Sequence, residues 1–105
     1  KKCDIGPIKT YLDENYGEKL SLESVADLFY INKYYLARLF KEQYGITLTV
    51  YLQQVRITHA KQMLRFTDKK IEDIGLECGV GELTYFSRVF KKIEGVSPSK
   101  YRSMW

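Results

Sequence analysis

Apolar residues recur at intervals of three and four along most of this chain, the spacing that aligns side chains on one face of an α-helix. The longest such stretch runs from Thr47 to Thr67 and carries polar residues on its other faces. Its apolar stripe comprises Leu48, Tyr51, Leu52, Val55, Ala60, Met63 and Leu64. We therefore predict one long helix, a rod of about 30 Å at ~1.5 Å per residue.

Capping residues and helix breakers predict six shorter helices around the long one. Asp4, Ser21, Asn32 and Ser97 precede apolar runs as candidate N-caps, and glycines follow several of these runs. The predicted helices cover 5–16, 21–29, 33–44, 71–78, 82–94 and 97–105. The residues expected to face inward on four of them are Ile8, Tyr11, Leu12, Leu22, Val25, Ala26, Phe29, Leu36, Leu39, Phe40, Tyr44, Phe86, Val89, Phe90 and Ile93. The sequence thus predicts an all-α fold of seven helices.

The chain contains an internal repeat with an offset of fifty residues. Identical residues fill the pairs 35/85, 38/88, 40/90, 41/91, 45/95 and 51/101. Upstream the offset is forty-nine and pairs Ala26 with Gly75, because the second turn is one residue longer. We expect one domain over 1–105, with subdomains at 1–46 and 68–105 joined by a linker helix at 47–67.

Each repeat consists of a short helix, a tight turn and a second helix, which is the helix-turn-helix layout. A rotation of 100° per residue places one set of polar side chains on the outward face of each second helix. In the first repeat this set is Tyr34, Arg38 and Lys41, and in the second it is Thr84, Arg88, Lys91 and Lys92. Both outward faces therefore carry an arginine.

These outward faces suit double-stranded DNA. A guanidinium can donate two hydrogen bonds to guanine, whereas lysines farther along would meet phosphates. Lys and Arg outnumber Asp and Glu by 17 to 13, and residues 31–70 hold eight basic and two acidic residues. The predicted 30 Å rod is close to the ~34 Å turn of B-DNA. Because the two faces differ, we expect an asymmetric site read by two unlike modules.

Three segments resemble the C-terminal DNA-binding domain of the AraC/XylS family of bacterial transcription regulators: residues 34–45, 51–64 and above all 85–102, YFSRVFKKIEGVSPSKYR. The resemblance implies two helix-turn-helix units whose recognition helices enter successive major grooves. The base-contacting positions that it implies are Lys33, Tyr34, Ala37, Arg38, Leu83, Thr84, Ser87 and Arg88. The expected phosphate contacts are Asn32, Tyr35, Lys41, Tyr85, Lys91 and Lys92.

Several of these positions have structural alternatives. Packing is as good an explanation for Tyr35 and Tyr85 as a hydroxyl-to-phosphate bond. Leu83 is either a thymine-methyl contact or an exposed apolar residue, and Glu82 is either a cytosine reader or a favourable charge at a helix start. Tyr30 departs from the glycine common at that turn in the family.

Other functional classes receive little support from the sequence. A helical protein-interaction module, for example one that contacts RNA polymerase, is the alternative function. One histidine, no paired carboxylates and no Cys/His cluster argue against an enzyme, a metal site and a cofactor. Cys78 is expected to be a core residue.

No membrane-length apolar run or signal peptide is present, so we expect a cytoplasmic protein. The first residue, Lys1, suggests a missing N-terminal sensor, dimerisation or receiver domain.

Overall fold

The computed structural model describes residues 3–105, which contain seven α-helices and no strand. In chain order these helices are α1 Gly6–Glu14, α2 Leu22–Leu28, α3 Lys33–Tyr44, α4 Leu48–Phe66, α5 Ile71–Glu77, α6 Leu83–Glu94 and α7 Pro98–Ser103. The predicted all-α fold is therefore confirmed. The long helix spans one residue less at each end than the apolar pattern predicted.

The chain divides into two compact units, and the division falls inside α4, between Leu52 and Gln53. Each unit buries its own set of apolar side chains. The core of the first unit comprises Ile5, Ile8, Leu12, Val25, Ala26, Leu36, Leu39, Phe40, Leu48 and Leu52. The buried residues of the second are Ile57, Ala60, Leu64, Ile74, Gly75, Cys78, Phe86, Val89, Phe90 and Pro98.

Local capping explains where the helices of the two units begin and end. The hydroxyl of Ser21 accepts a hydrogen bond from the Ser24 amide at 3.0 Å, and Ser97 accepts one from the Lys100 amide at 3.1 Å. Gly45 and Gly95 end α3 and α6 with φ angles of 82° and 86°, a left-handed conformation that glycine adopts without steric cost. The predicted caps at Ser21 and Ser97 and the predicted ends at Gly45 and Gly95 are confirmed, but the last helix ends at Ser103 and not at the predicted residue 105.

The prediction for α1 was wrong at both ends. The helix begins at Gly6, with Ile5 at the cap position, although an oxygen of Asp4 does accept a hydrogen bond from the Gly6 amide at 2.9 Å. It ends at Glu14, and at the following cap position both the backbone amide and the side-chain amide of Asn15 donate to the Tyr11 carbonyl, at 2.9 and 3.0 Å. The helix therefore stops before the predicted end at residue 16.

Two predictions about the core also need correction. Ile93 was expected to face inward, but it is 37% exposed. The next residue, Glu94, turns inward instead and pairs with Lys61 of α4 at 2.7 Å. Ile57, which lay outside the predicted apolar stripe of α4, is buried. The step from Leu52 to Ile57 is five residues, so one regular stripe does not describe this helix.

The turns of the two helix-turn-helix motifs differ in length and backbone conformation. Tyr30 turns the chain with a φ of 55°, the left-handed region that side chains other than glycine seldom adopt. The longer second turn uses Gly79 and Gly81, with φ angles of 81° and 142°. The carbonyl of Ala26 accepts a hydrogen bond from the turn in the first motif, and that of Gly75 accepts two in the second.

None of the helices in residues 3–105 is both long and apolar enough to cross a membrane.

Candidate nucleic-acid interface

The start of α3 is held by Asn32, whose side-chain oxygen accepts hydrogen bonds from the amides of Tyr34 and Tyr35 at 2.9 and 3.1 Å. With the helix fixed in this way, its apolar residues enter the core and its polar face points to solvent. Tyr34 is 74% exposed, and Arg38 and Lys41 are exposed as well. The outward face of α3 thus presents one aromatic ring and two cations.

Three side chains on this surface already make contacts within the first unit. The Lys33 ammonium lies 3.8 Å from a carboxylate oxygen of Glu23 and 5.3 Å from the centre of the Tyr34 ring. The Arg38 guanidinium carbon lies 5.2 Å from the centre of the half-buried Tyr35 ring. Stacking of this kind limits the orientations of Arg38 while leaving its donors directed to solvent. Ala37 is half-buried.

In the second unit, α6 buries Phe86, Val89 and Phe90 on one side. Its other side exposes Thr84, Arg88, Lys91 and Lys92. Leu83 is 42% exposed at the first position of the helix, and Tyr85 is 45% exposed, so Tyr85 does not share the half-buried setting of Tyr35. Ser87 is half-buried on the flank. Glu82 occupies the cap position but its side chain makes no capping hydrogen bond.

Most of the cations on these two faces have no acidic partner. Within residues 3–105 the ion pairs engage Lys9, Lys33, Lys61 and Lys69. On the outward faces of α3 and α6, the exposed cations that form no ion pair within residues 3–105 are Arg38, Lys41, Arg88, Lys91 and Lys92. Their charge is therefore available to an anionic partner at little desolvation cost.

The structure also brings together residues that sequence reasoning missed. Lys70, Pro98 and Ser99 line a groove of about 550 Å³ that also contacts Leu83 and Ser87 of α6. Lys70 and Ser99 are far apart in the sequence, and neither was among the predicted DNA contacts, although Ser99 lies within the 85–102 segment. Only the packing of the second unit reveals that they adjoin the predicted reading face.

The remaining candidate residues have structural explanations. Cys78 is buried, and its burial raises the pKa of the thiol to about 11. Burial also lowers the pKa of the half-buried Arg56. No group of three or more histidine, cysteine or acidic side chains in residues 3–105 could hold a metal ion.

A family model described as a helix-turn-helix domain matches residues 25–104. Among curated proteins, the bifunctional transcriptional activator/DNA repair enzyme AdaA of Bacillus subtilis (strain 168) is 44% identical over 97 residues. That match covers 92% of this chain and 46% of AdaA, so the chain spans about half the length of this relative.

Two solved structures share the whole fold. The C-terminal domain of AraT, a response regulator from Geobacillus stearothermophilus, matches with a TM-score of 0.93 and 32% identity, over 96% of this chain and 84% of that one. The DNA-binding domain of AdpA, a global transcriptional factor solved in complex with a target DNA, matches with a TM-score of 0.91 over 98% of this chain and 93% of that one. At 20% identity, the AdpA match establishes the fold alone.

Proposed function

We propose that this chain, which belongs to the AraC family of helix-turn-helix transcription regulators, binds double-stranded DNA through the second helix of each unit. In this proposal α3 and α6 enter successive major grooves of one duplex. The observation that carries the proposal is the set of exposed cations on these helices that lack an acidic partner in residues 3–105: Arg38, Lys41, Arg88, Lys91 and Lys92.

The side chains divide into two roles by chemistry. Arg38 and Arg88 carry planar forks of donors that match the O6 and N7 acceptors of guanine, so we assign them to base recognition. The other proposed contacts are assigned from the positions of the residues along α3 and α6. Further base contacts are proposed for Lys33, Tyr34, Ala37, Leu83, Thr84 and Ser87, and phosphate contacts for Asn32, Tyr35, Lys41, Tyr85, Lys91 and Lys92.

The two reading faces carry different chemistry, so the proposed site is asymmetric. Tyr34 in the first unit corresponds to Thr84 in the second, and Lys33 corresponds to Leu83. A lysine donates hydrogen bonds, whereas a leucine offers only apolar contact to a thymine methyl. The pair between Lys33 and Glu23 at 3.8 Å is a surface ion pair, worth at most about 1 kcal/mol, and is easily exchanged for a contact with DNA.

We propose the boundaries 1–46, 47–67 and 68–105 for the first reading subdomain, the linker helix and the second reading subdomain. The proposed linker segment contains α4, one continuous helix of 19 residues. We further propose that the whole protein activates transcription and that it carries an N-terminal sensor, dimerisation or receiver domain. The proposed role needs no catalytic group and no cofactor.

Selection of binding sites from random duplex DNA tests the proposal. We expect a consensus with two unlike determinants about one helical turn apart, and insertion of about five base pairs between them should abolish tight binding. Affinity should fall steeply with salt, because the lysines release counterions from the phosphates. Binding that is weak, independent of sequence and insensitive to the insertion would refute the two-module mechanism.

Substitution of one arginine in each unit sharpens this test. Arg38→Ala should cost about 1 to 3 kcal/mol of binding free energy and relax base preference in one half-site, and Arg88→Ala should do the same in the other. Arg65→Ala, an exposed arginine outside both reading faces, serves as the matched control and should leave the consensus unchanged. Loss of preference in both half-sites from either single change, in a folded protein, would contradict the assignment.

A protein-interaction module remains the second candidate, because Phe66, Met104 and Trp105 of the second unit are large apolar residues exposed to solvent. Under this proposal the surface would contact a protein such as RNA polymerase. Phe66→Ser combined with Trp105→Ser should then impair activation of transcription while leaving DNA affinity intact. If DNA binding is undetectable in the selection experiment while binding to polymerase depends on these residues, the second candidate replaces the first.

A further inference from the structure

The groove beside α6 has walls from three helices of the second unit. Ile71 at the start of α5 and Leu83 in the first turn of α6 form its apolar floor, and Pro98 at the start of α7 borders the groove but is itself buried. Its volume of about 550 Å³ is that of a site for a small organic group. Because Leu83 and Ser87 belong both to this groove and to the proposed reading face, whatever occupies the groove lies next to the DNA bases read by α6.

Hydrogen-bond donors surround this apolar floor. Lys70 and Ser99 are exposed, and within residues 3–105 the Lys70 ammonium forms no ion pair and does not cap α5. Arg102 adds a second cation, held in place because its guanidinium donates to the carbonyls of Leu64 and Thr67 at 3.0 and 3.1 Å. Glu72 is the one carboxylate of the lining, so the net charge of the groove is positive.

We propose that this groove holds one strand of the duplex, with a deoxyribose on the apolar floor and the adjoining phosphate between Lys70 and Ser99. The inference rests on the proposed function and adds two residues to the DNA contacts of the second unit. A nucleic-acid strand alternates an apolar sugar face with an anionic phosphate, which matches an apolar floor beside an unpaired ammonium group and a hydroxyl donor. Positive charge and continuity with the reading face therefore favour the DNA strand over a small-molecule ligand.

The test compares three variants on the duplex obtained by selection. Lys70→Gln should weaken binding about fivefold at 0.15 M salt and reduce the slope of log affinity against log salt by about 0.9, since one phosphate is no longer neutralised. Ser99→Ala should weaken binding a few fold without changing the salt slope, because a hydroxyl carries no charge. The matched control is Lys100→Gln, since Lys100 is an exposed lysine of α7 that does not line the groove, and it should keep most of the slope.

Replacement of single phosphates in that duplex by uncharged methylphosphonates locates the contact. We expect one linkage, beside the half-site lost in Arg88→Ala, whose replacement weakens the wild type but weakens Lys70→Gln no further. Circular dichroism and thermal unfolding verify that each variant is folded. If the wild type binds tightly and with steep salt dependence while no linkage couples to Lys70, the groove proposal is overturned and the proposed function stands. A wild type that binds no duplex specifically refutes the proposed function itself.

Discussion

The ring of Phe86 lies directly against the backbone of Gly75. A β-carbon added at Gly75 would fall 2.7 Å from Cγ of Phe86 and 2.8 Å from the carbonyl oxygen of Gly81. The first unit carries Ala26 at the corresponding position, where its turn is one residue shorter. The close approach of α5 and α6 thus requires a residue without a side chain.

Gly75→Ala should lower the free energy of unfolding of the second unit by about 2 to 3 kcal/mol, because the new methyl group clashes with backbone as well as with a ring. Urea denaturation followed by circular dichroism measures the change. Ala26→Gly is the comparison in the first unit and should cost about 1 to 2 kcal/mol, from the helix-propensity difference and the loss of a buried methyl group. A Gly75→Ala protein as stable as the wild type would show that this packing does not constrain the second unit.

Replacement of Tyr30 by glycine should stabilise the protein. Its φ of 55° is unfavourable for a residue with a β-carbon, and at 98% exposure its ring gains little from packing. Tyr30→Gly should therefore raise the free energy of unfolding by up to about 1 kcal/mol, although the more flexible unfolded chain offsets part of the gain. Tyr34→Gly, inside α3 and also exposed, should instead lower it by about 1 kcal/mol. Equal losses in both variants would show that the backbone at Tyr30 is not strained.

Arg102 connects α7 to the end of α4 through two hydrogen bonds to the carbonyls of Leu64 and Thr67. Arg102→Lys should destabilise the second unit by about 1 to 2 kcal/mol, because a single ammonium cannot reproduce the geometry of the planar fork. Thermal and urea unfolding provide the measurement. Arg88→Lys, at an exposed arginine with no acidic partner in residues 3–105, should stay within about 0.5 kcal/mol of the wild type. If Arg102→Lys changes the free energy of unfolding as little as Arg88→Lys does, the proposed structural role of Arg102 is wrong.

The two cysteines should differ in reactivity. Cys3 is exposed, whereas Cys78 is buried with a thiol pKa of about 11. The folded protein should therefore react rapidly with one equivalent of iodoacetamide near pH 8, and with a second only after denaturation. Mass spectrometry of peptides identifies the alkylated residue. Rapid modification of Cys78 in the folded protein would contradict the buried position described here.

The same thiol predicts how stability depends on pH. The pKa of Cys78 is about 11 in the folded protein and near its ordinary value of 9.0 when unfolded. Below pH 9 the stabilising contribution is fully present, and it is lost as the pH rises from about 9 to 11, because the unfolded chain releases its proton first. The loss attributable to this group is about 2 to 3 kcal/mol. Cys78→Ala should flatten the pH dependence of unfolding in this window, and an unchanged slope would contradict the shift.

Helix type and order were predictable because periodicity and caps agree. Asn32 is followed by an apolar stripe that ends at Gly45, so both boundaries of α3 are specified locally. The same rules misplaced the end of α1, which lies at Glu14 and not at the predicted residue 16. They also misassigned Ile93, because the contact of Glu94 with Lys61 of α4 decides which residue turns inward. The error at Ile93 therefore involves a contact between helices, which local patterns do not encode.

The candidate interface was predictable only where the repeat made it visible. Arg38 and Arg88 occupy equivalent places in two copies of one motif, and the structure exposes both. Lys70 and Ser99 have no such signal, because their relationship to Leu83 arises from the packing of α5 and α7 around α6. The ion pair between Lys33 and Glu23 could not be predicted from the sequence either, because ten residues and a turn separate the two side chains.

The division of the chain within α4, between Leu52 and Gln53, leaves each unit with a hydrophobic core of its own. A substitution that retunes the surface of α3 therefore does not disturb the packing beneath α6, and the reverse holds as well. If each unit reads one half of an operator, as proposed, selection can change one half-site while the other stays the same. A regulator of this kind would acquire new target promoters one half-site at a time, and grafting α6 residues between relatives is the corresponding route for engineering.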